Sequence, residues 1–216
     1  RTTSKGADQT GIKLQQACPT YDSTKVKMIN SRGEEPAISP SELETFLSPT
    51  IFAFSNRKAV IVPISRSYAA DLLGTDQQYS LLDVPEATFM SRRTYFNTTN
   101  AARAMIRGAV IAFYENGKKG GRGAIVALGR IVDVTTVPVG NIPEKLGRGA
   151  VVEDIGAITS AQRVLATTFD NLVPLQTPVK LKKLREIGCD TRTNFISATP
   201  VSAPHLKAIV DAGFSK

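Results

Sequence analysis

Hydrophobic and polar positions alternate most regularly between Arg107 and Val134. An apolar arm, RGAVIAFYEN, is followed by a polar, glycine-rich GKKGGRG and then by a second apolar arm, AIVALGRIVDV. Alternation with β-branched residues on both arms predicts two paired strands, and the glycines between them predict a tight, exposed turn. AVIVPI, residues 59–64, is continuously apolar, as in a buried strand. SRSYAADLLG predicts a helix capped by Ser65 or Ser67 and stopped by Gly74. SPSELETF predicts another, capped by Ser39 or Ser41, with Glu42 and Glu44 in its first turn. Strands are also expected around Arg93 to Phe96, along RVLATTFDNLVPL, and as a continuation of the hairpin over Val134 to Val139. Asn100 to Arg107 reads as a short helix or turn, and IPEKLGRGAVVEDIGAI as a loop with a short helix. PVKLKKLREIG predicts a helix started by Pro178 and stopped by Gly188, and TNFISATPVS crosses back. SAPHLKAIVDAGF predicts a last helix capped by Ser202 and ended by Gly213.

Short helices thus interleave with strands, one pair of them in a clear hairpin, with no internal repeat or low-complexity tract. This order predicts an α+β fold: a partly open antiparallel β-barrel with peripheral short helices, not a doubly wound parallel sheet. The first forty residues are polar. RTTSKGADQTG reads as a flexible lead-in and KVKMIN as a lone strand. The expected division is a flexible or partly structured N-terminal segment over residues 1–50 and one domain over 51–216.

Composition narrows the class. With 216 residues, 42% hydrophobic and 21% charged, the chain suits one large soluble domain with a real core, or one domain with an appended segment. No apolar run approaches the roughly 20 residues of a membrane span, and no signal peptide is read ahead of the fold, so no membrane partner is expected. Cys18 and Cys189 are too few for a disulfide framework and lack metal-ligand spacing; they are taken as reduced thiols of a cytoplasmic protein. No cofactor is called for. The chain opens on Arg1 and is read as a piece of something longer.

Charge changes the picture most. From Arg92 to Arg130 there are eight Lys or Arg and one acid, Glu115, so this window carries +7 of the chain's +8. Positive charge concentrated on a β-element points to a polyanion, and most directly to nucleic acid. GKKGGRG departs from a phosphate-binding Walker loop, which needs Gly-Lys-Ser/Thr and a following helix; here Arg122-Gly123 leads into a strand. The same strand counts against the acetyl-coenzyme-A loop of GNAT acetyltransferases, which rests on a helix N-terminus. What remains is a solvated turn or a phosphate contact made by Lys118, Lys119 and Arg122.

SRRTYF is the second candidate. Arg92, Arg93 and Tyr95 suit pairing with phosphate or a base edge and stacking on an unpaired base. On a strand, Arg93 and Tyr95 share one face and Arg92, Thr94 and Phe96 the other. Arg107, at the foot of the hairpin, joins the candidate contacts. PVKLKKLREIG carries an apolar stripe of Val179, Leu181, Leu184 and Ile187, leaving Lys180, Lys182, Lys183 and Arg185 outside. It becomes a second phosphate-tracking patch only if the fold brings it to the hairpin. Other chemistry is thin. His205 is the only histidine and has no partner at ligand spacing, adjacent Glu153 and Asp154 do not converge, and Asp133 and Glu115 read as turn-solvating.

VPISRSYAADLL, SRRTYF and IRGAVIAFYENG…GRGAIVALGRIVDV together resemble the PUA-like superfamily, especially its ASCH and EVE branches, where an early strand and helix precede a barrel hairpin. The tail, TTFDNLVPLQTPVKLKKLREIG…TNFISATPVSAPHLKAIVDAGF, is similar to the ASCH-like module at the end of bacterial GNAT acetyltransferase and PIN-associated proteins. The resemblance covers about residues 55–215 and is one of pattern. It implies an RNA- or DNA-binding barrel that inspects a modified or flipped base in a cleft, with a fused or associated GNAT or PIN domain as partner. Some ASCH proteins hydrolyse acylated cytidine through a Lys, Thr and Glu set in a GxKxxExR-type stretch. VPISRSYAADLL lacks the Lys and Glu where that motif falls, so no catalytic residue carries over.

The expectation is a cytoplasmic nucleic-acid-binding module favouring RNA or single-stranded DNA, without catalysis of its own. A hydrolase of modified nucleosides and a protein-interaction module are the alternatives.

Overall fold

A computed structural model of the chain describes residues 13–16, 25–29, 31–53, 56–73, 90–150, 162–189 and 195–215. In chain order its elements are β1 (Lys13–Gln16), β2 (Val26–Ile29), β3 (Ala37–Ile38), α1 (Pro40–Phe46), β4 (Ala59–Ile64), α2 (Arg66–Leu73), β5 (Arg93–Asn97), β6 (Val110–Glu115), β7 (Ala124–Pro138), α3 (Glu144–Arg148), β8 (Arg163–Lys180), α4 (Leu181–Glu186), β9 (Thr199–Val201) and α5 (Ala203–Phe214). Gly74, the Glu153–Asp154 pair and Cys18 lie outside the described residues.

Six strands form the main sheet in the order β5-β8-β7-β6-β4-β9. Neighbours are antiparallel except β4 and β6, which run parallel from Ala59↔Val110 to Ile64↔Glu115. The sheet curls without closing into the expected partly open barrel. The continuous apolar runs have a simple cause: both faces of the central strands are covered. Val60 and Val62 of β4 and Ile111 and Phe113 of β6 enter a core completed by Tyr68, Ala69 and Leu72 of α2. Ile61, Val110, Ala112 and Tyr114 face the other way, toward Leu184 of α4 and Leu206 and Ile209 of α5. The alternation expected on the two hairpin arms is thereby corrected: β6 and β7 as far as Ile131 are buried at every position, because strands covered on both faces do not alternate.

Two expectations near the C-terminus are corrected. Pro178, Val179 and Lys180 do not start a helix. They end β8, because Val179 and Lys180 are held in the ladder opposite Ile125 and Ala124, and the helix begins at Leu181. Gly213 does not end α5, which continues to Phe214; a Cβ there would come within 2.8 Å of Leu175, so the glycine serves close packing.

RTTSKGADQTG lies outside the described residues, whereas α1 and the residues after it are tied to the main sheet. β2 is not alone: it pairs antiparallel with β1 and β3. Val26 and Met28 pack with Leu43 of α1 and with Phe52. Ser39 caps α1 in a reciprocal box with Glu42, whose carboxyl is thereby held below its usual range, chiefly by the Ser39 hydrogen bonds. Glu44, on the next part of that helix, is fully buried. Its carboxylate accepts from the Phe52 amide at 2.8 Å and pairs with Arg57, and its Oε2 lies 3.8 Å from Arg130 of β7. A boundary at residue 50 therefore falls inside a shared ion network.

Candidate nucleic-acid interface

The hairpin expected from the sequence is formed by β6 and β7. β6 ends at Glu115, one turn of 3₁₀ helix covers Lys118–Gly120, and β7 starts at Ala124. Left-handed backbone at Lys119 (φ 50°), Gly120 (φ 80°) and Gly123 (φ 59°) folds the tip tightly, which glycine makes inexpensive at two of the three. Lys118, Lys119 and Arg122 are exposed.

Two more basic segments are brought to this tip. The register Ala124↔Lys180 and a hydrogen bond from the Leu181 amide to the Gly123 carbonyl (3.0 Å) seat the start of α4 beside it. Leu184 is buried beneath, and Lys180, Lys182, Lys183 and Arg185 face outward. This segment therefore lies beside the hairpin. On the other side, Arg66 at the start of α2 is exposed and donates to the Gly120 carbonyl at 3.2 Å. Arg66, the tip and α4 form one basic end of the barrel. The acids among them are Glu186, 3.5 Å from Lys183, and Glu115, buried and 3.2 Å from Arg122. Arg122 is therefore a held cation and not a free one.

SRRTYF lies elsewhere, with β5 paired to the middle of β8 at Arg93↔Phe169. Tyr95 is a correction: it is a core residue, not a stacking platform. Its ring meets Tyr68 and Phe113 edge-on at 5.5 and 6.4 Å, its hydroxyl donates to the Pro63 carbonyl at 3.1 Å, and burial pushes its pKa up to about 12. Burial raises the pKa of Tyr68 as well. Arg93 shares Tyr95's face, as alternation requires, and is half-buried, donating to the Leu72 carbonyl at the end of α2; desolvation lowers its pKa. Arg66 and Leu72 are about 9 Å apart along α2 at 1.5 Å per residue, so this helix links the two regions. Arg92 is exposed, 3.9 Å from Asp170. Arg107 is exposed but precedes β6, about 20 Å from the tip at strand rise, so it stands outside the basic end.

Sequence reasoning missed the buried charges. Arg130, counted among the surface cations, is buried and grips Asp170 with two bonds of 2.7 Å while donating to the Ser41 carbonyl and Thr45 hydroxyl of α1. Asn171, left-handed at φ 49°, donates to the Glu44 and Thr50 carbonyls and accepts from Ser48. An open cleft of about 200 Å³ lies at this seam, lined by Ser48, Pro49, Met90, Ser91, Arg93 and residues 169–172. Among the described residues no group of three or more His, Cys, Asp or Glu is placed to hold a metal ion, and no helix is long and apolar enough to cross a membrane.

The unclosed, largely antiparallel sheet flanked by short helices has the fold of solved ASCH proteins. Among solved structures it is similar to the ASCH protein of Zymomonas mobilis, at 12% identity and a TM-score of 0.52, covering 71% of this chain and 94% of that one. Two point mutants of that protein match alike, with TM-scores of 0.52 and 0.51 at 12% and 14% identity, covering 72% and 74% of this chain and 98% and 99% of theirs. At such identity the likeness is one of fold. No protein-family profile matches the sequence, and no curated protein does.

Proposed function

We propose that the protein binds nucleic acid through the basic end of its barrel, as a recognition module with no reaction of its own. One observation carries this reading: Arg66, the Lys118–Lys119 tip and the exposed lysines 180, 182 and 183, distant in sequence, are brought to one end of the barrel. Cations gathered at one end suit contacts to several phosphates, which position a strand without reading its sequence. An extended single strand, RNA or DNA, adapts to such a cluster most readily. The ASCH-like fold is consistent with this association. On this reading the protein works in the cytoplasm and serves a larger assembly, such as a fused or associated acetyltransferase or PIN domain.

The test is fluorescence anisotropy with single-stranded RNA, single-stranded DNA and duplex DNA over a salt series. Four exposed lysines (118, 119, 180 and 182) and Arg66 give an expected slope of log K against log salt of about −3.5 for a single strand. Replacing Lys118 and Lys119 with Ala should flatten that slope by about 1.4 and weaken all sequences alike. Absence of binding at low salt would transfer the basic end to an acidic protein partner. Turnover of an acylated cytidine would replace the module by a hydrolase.

A further inference from the structure

The centre of the basic end holds a feature that simple charge attraction does not explain. Glu115 is a carboxylate placed among cations, which lowers the potential that draws a polyanion. It is also buried, 2% exposed, at a turn where solvent is close at hand. Both its oxygens are turned toward Arg122, although Oε2 makes no hydrogen bond. Oε1 accepts from the Arg122 backbone amide at 3.0 Å, and Oε2 lies 3.2 Å from the Arg122 side-chain Nε.

The rest of the tip is folded down onto this carboxylate. A Cβ on Gly121 would meet the Asn116 carbonyl oxygen at 1.9 Å and Glu115 Oε1 at 3.3 Å, so only glycine passes there. Asn116 Oδ1 accepts from the Lys118 amide at 3.2 Å, and Arg66 fixes the Gly120 carbonyl from outside. Lys118 and Lys119 stand on the loop so held.

We infer that Glu115 is a positioning residue: it locks the hairpin tip through Arg122, so that Lys118 and Lys119 are presented in a fixed arrangement to the phosphates of a nucleic acid. The inference rests on the nucleic-acid reading above. It reverses the sign expected from charge alone. Removing an acid from a basic surface should tighten binding of a polyanion, whereas loosening a preorganised contact weakens it.

The experiment compares the full chain with its E115A and E115Q variants, using a single-stranded RNA oligonucleotide and a salt series, with amide hydrogen exchange on each protein. Glutamine keeps an acceptor for the Arg122 amide but loses the ion pair. E115Q should bind about threefold and E115A about tenfold more weakly than wild type, with an unchanged salt slope because the phosphate contacts remain the same in number. Exchange at the Arg122 amide should speed up in E115A while amides of β6 and β7 stay protected. Binding as tight as wild type, or tighter, in both variants overturns the inference. If E115A does not fold, E115Q alone decides by the same sign. Should the wild-type chain bind no nucleic acid, the reading of the basic end fails, and the Arg122 exchange still reports whether Glu115 locks the tip.

Discussion

Single side chains in this molecule owe their roles to which face of a strand is turned inward. Tyr95 is the clearest case, because the residue that would make a base platform on the surface is instead neutral and hydrogen-bonded in the core. Its ionisation has a measurable consequence. Below pH 10 the phenol is protonated folded and unfolded, and its contribution is complete. Above that, the unfolded chain releases the proton while the folded one holds it to about 12. Stability therefore declines as pH rises from about 10 toward 12, by up to about 1.4 kcal/mol per unit from this group. Y95F should be about 1 kcal/mol less stable at pH 8, since the Pro63 carbonyl loses its donor. That gap should close near pH 11, where only the wild type pays for ionisation in its unfolded state. Urea unfolding of both proteins from pH 8 to 11 checks it; a gap constant with pH would mean that the phenol ionises alike in both states.

Elements were legible in the sequence where local pattern and tertiary need coincide. The hairpin, β4, and the Ser39 and Ser202 caps all rest on contacts between near neighbours, or on apolar runs that two covered faces demand. The start of α4 was not legible, because Pro178 suits a helix start and only the ladder to β7 keeps Val179 and Lys180 extended. Nor was the inward face of β5, since alternation pairs Arg93 with Tyr95 without saying which side holds the core. Long-range pairs such as Arg57–Glu44 and Arg130–Asp170 leave no local trace at all. Within the tip, two glycines that look equivalent in GKKGGRG differ sharply. Gly117 has room for a Cβ, its nearest neighbour being 3.7 Å away, whereas Gly121 faces a backbone oxygen at 1.9 Å. G117A should leave stability within about 0.5 kcal/mol of wild type, and G121A should lose about 1–3 kcal/mol as the turn is forced open. Equal unfolding midpoints for the two variants would show that the tip adapts at no cost.

For the whole molecule, the decisive question is whether the first fifty residues are an appendage or a structural part. Composition favours an appendage, being polar and turn-rich. The ion network argues the other way. Glu44 supplies the carboxylate for Arg57 and stands within 4 Å of Arg130, while Ser41 and Thr45 take two further Arg130 donors. A chain reduced to residues 51–216 would leave both guanidiniums without Glu44 and without the helix that covers them. Arg57 would retain the Gly108 and Phe52 carbonyls, and Arg130 would retain Asp170. Removing one partner from a buried ion pair costs about 3–5 kcal/mol, against a total stability of about 5–15 kcal/mol for a domain. Loss of Leu43 and of its packing on Val26, Met28 and Phe52 adds to this. The 51–216 chain should therefore unfold at a much lower urea concentration than the full chain, or fail to fold. A chain of residues 25–216, which keeps β2, β3 and α1, should unfold close to the full-length midpoint. The opposite result, a 51–216 chain as stable as the whole, would mean that water replaces Glu44 at no cost. It would also make the cleft beside Ser48 and Pro49 an incidental seam between an appendage and a self-sufficient barrel.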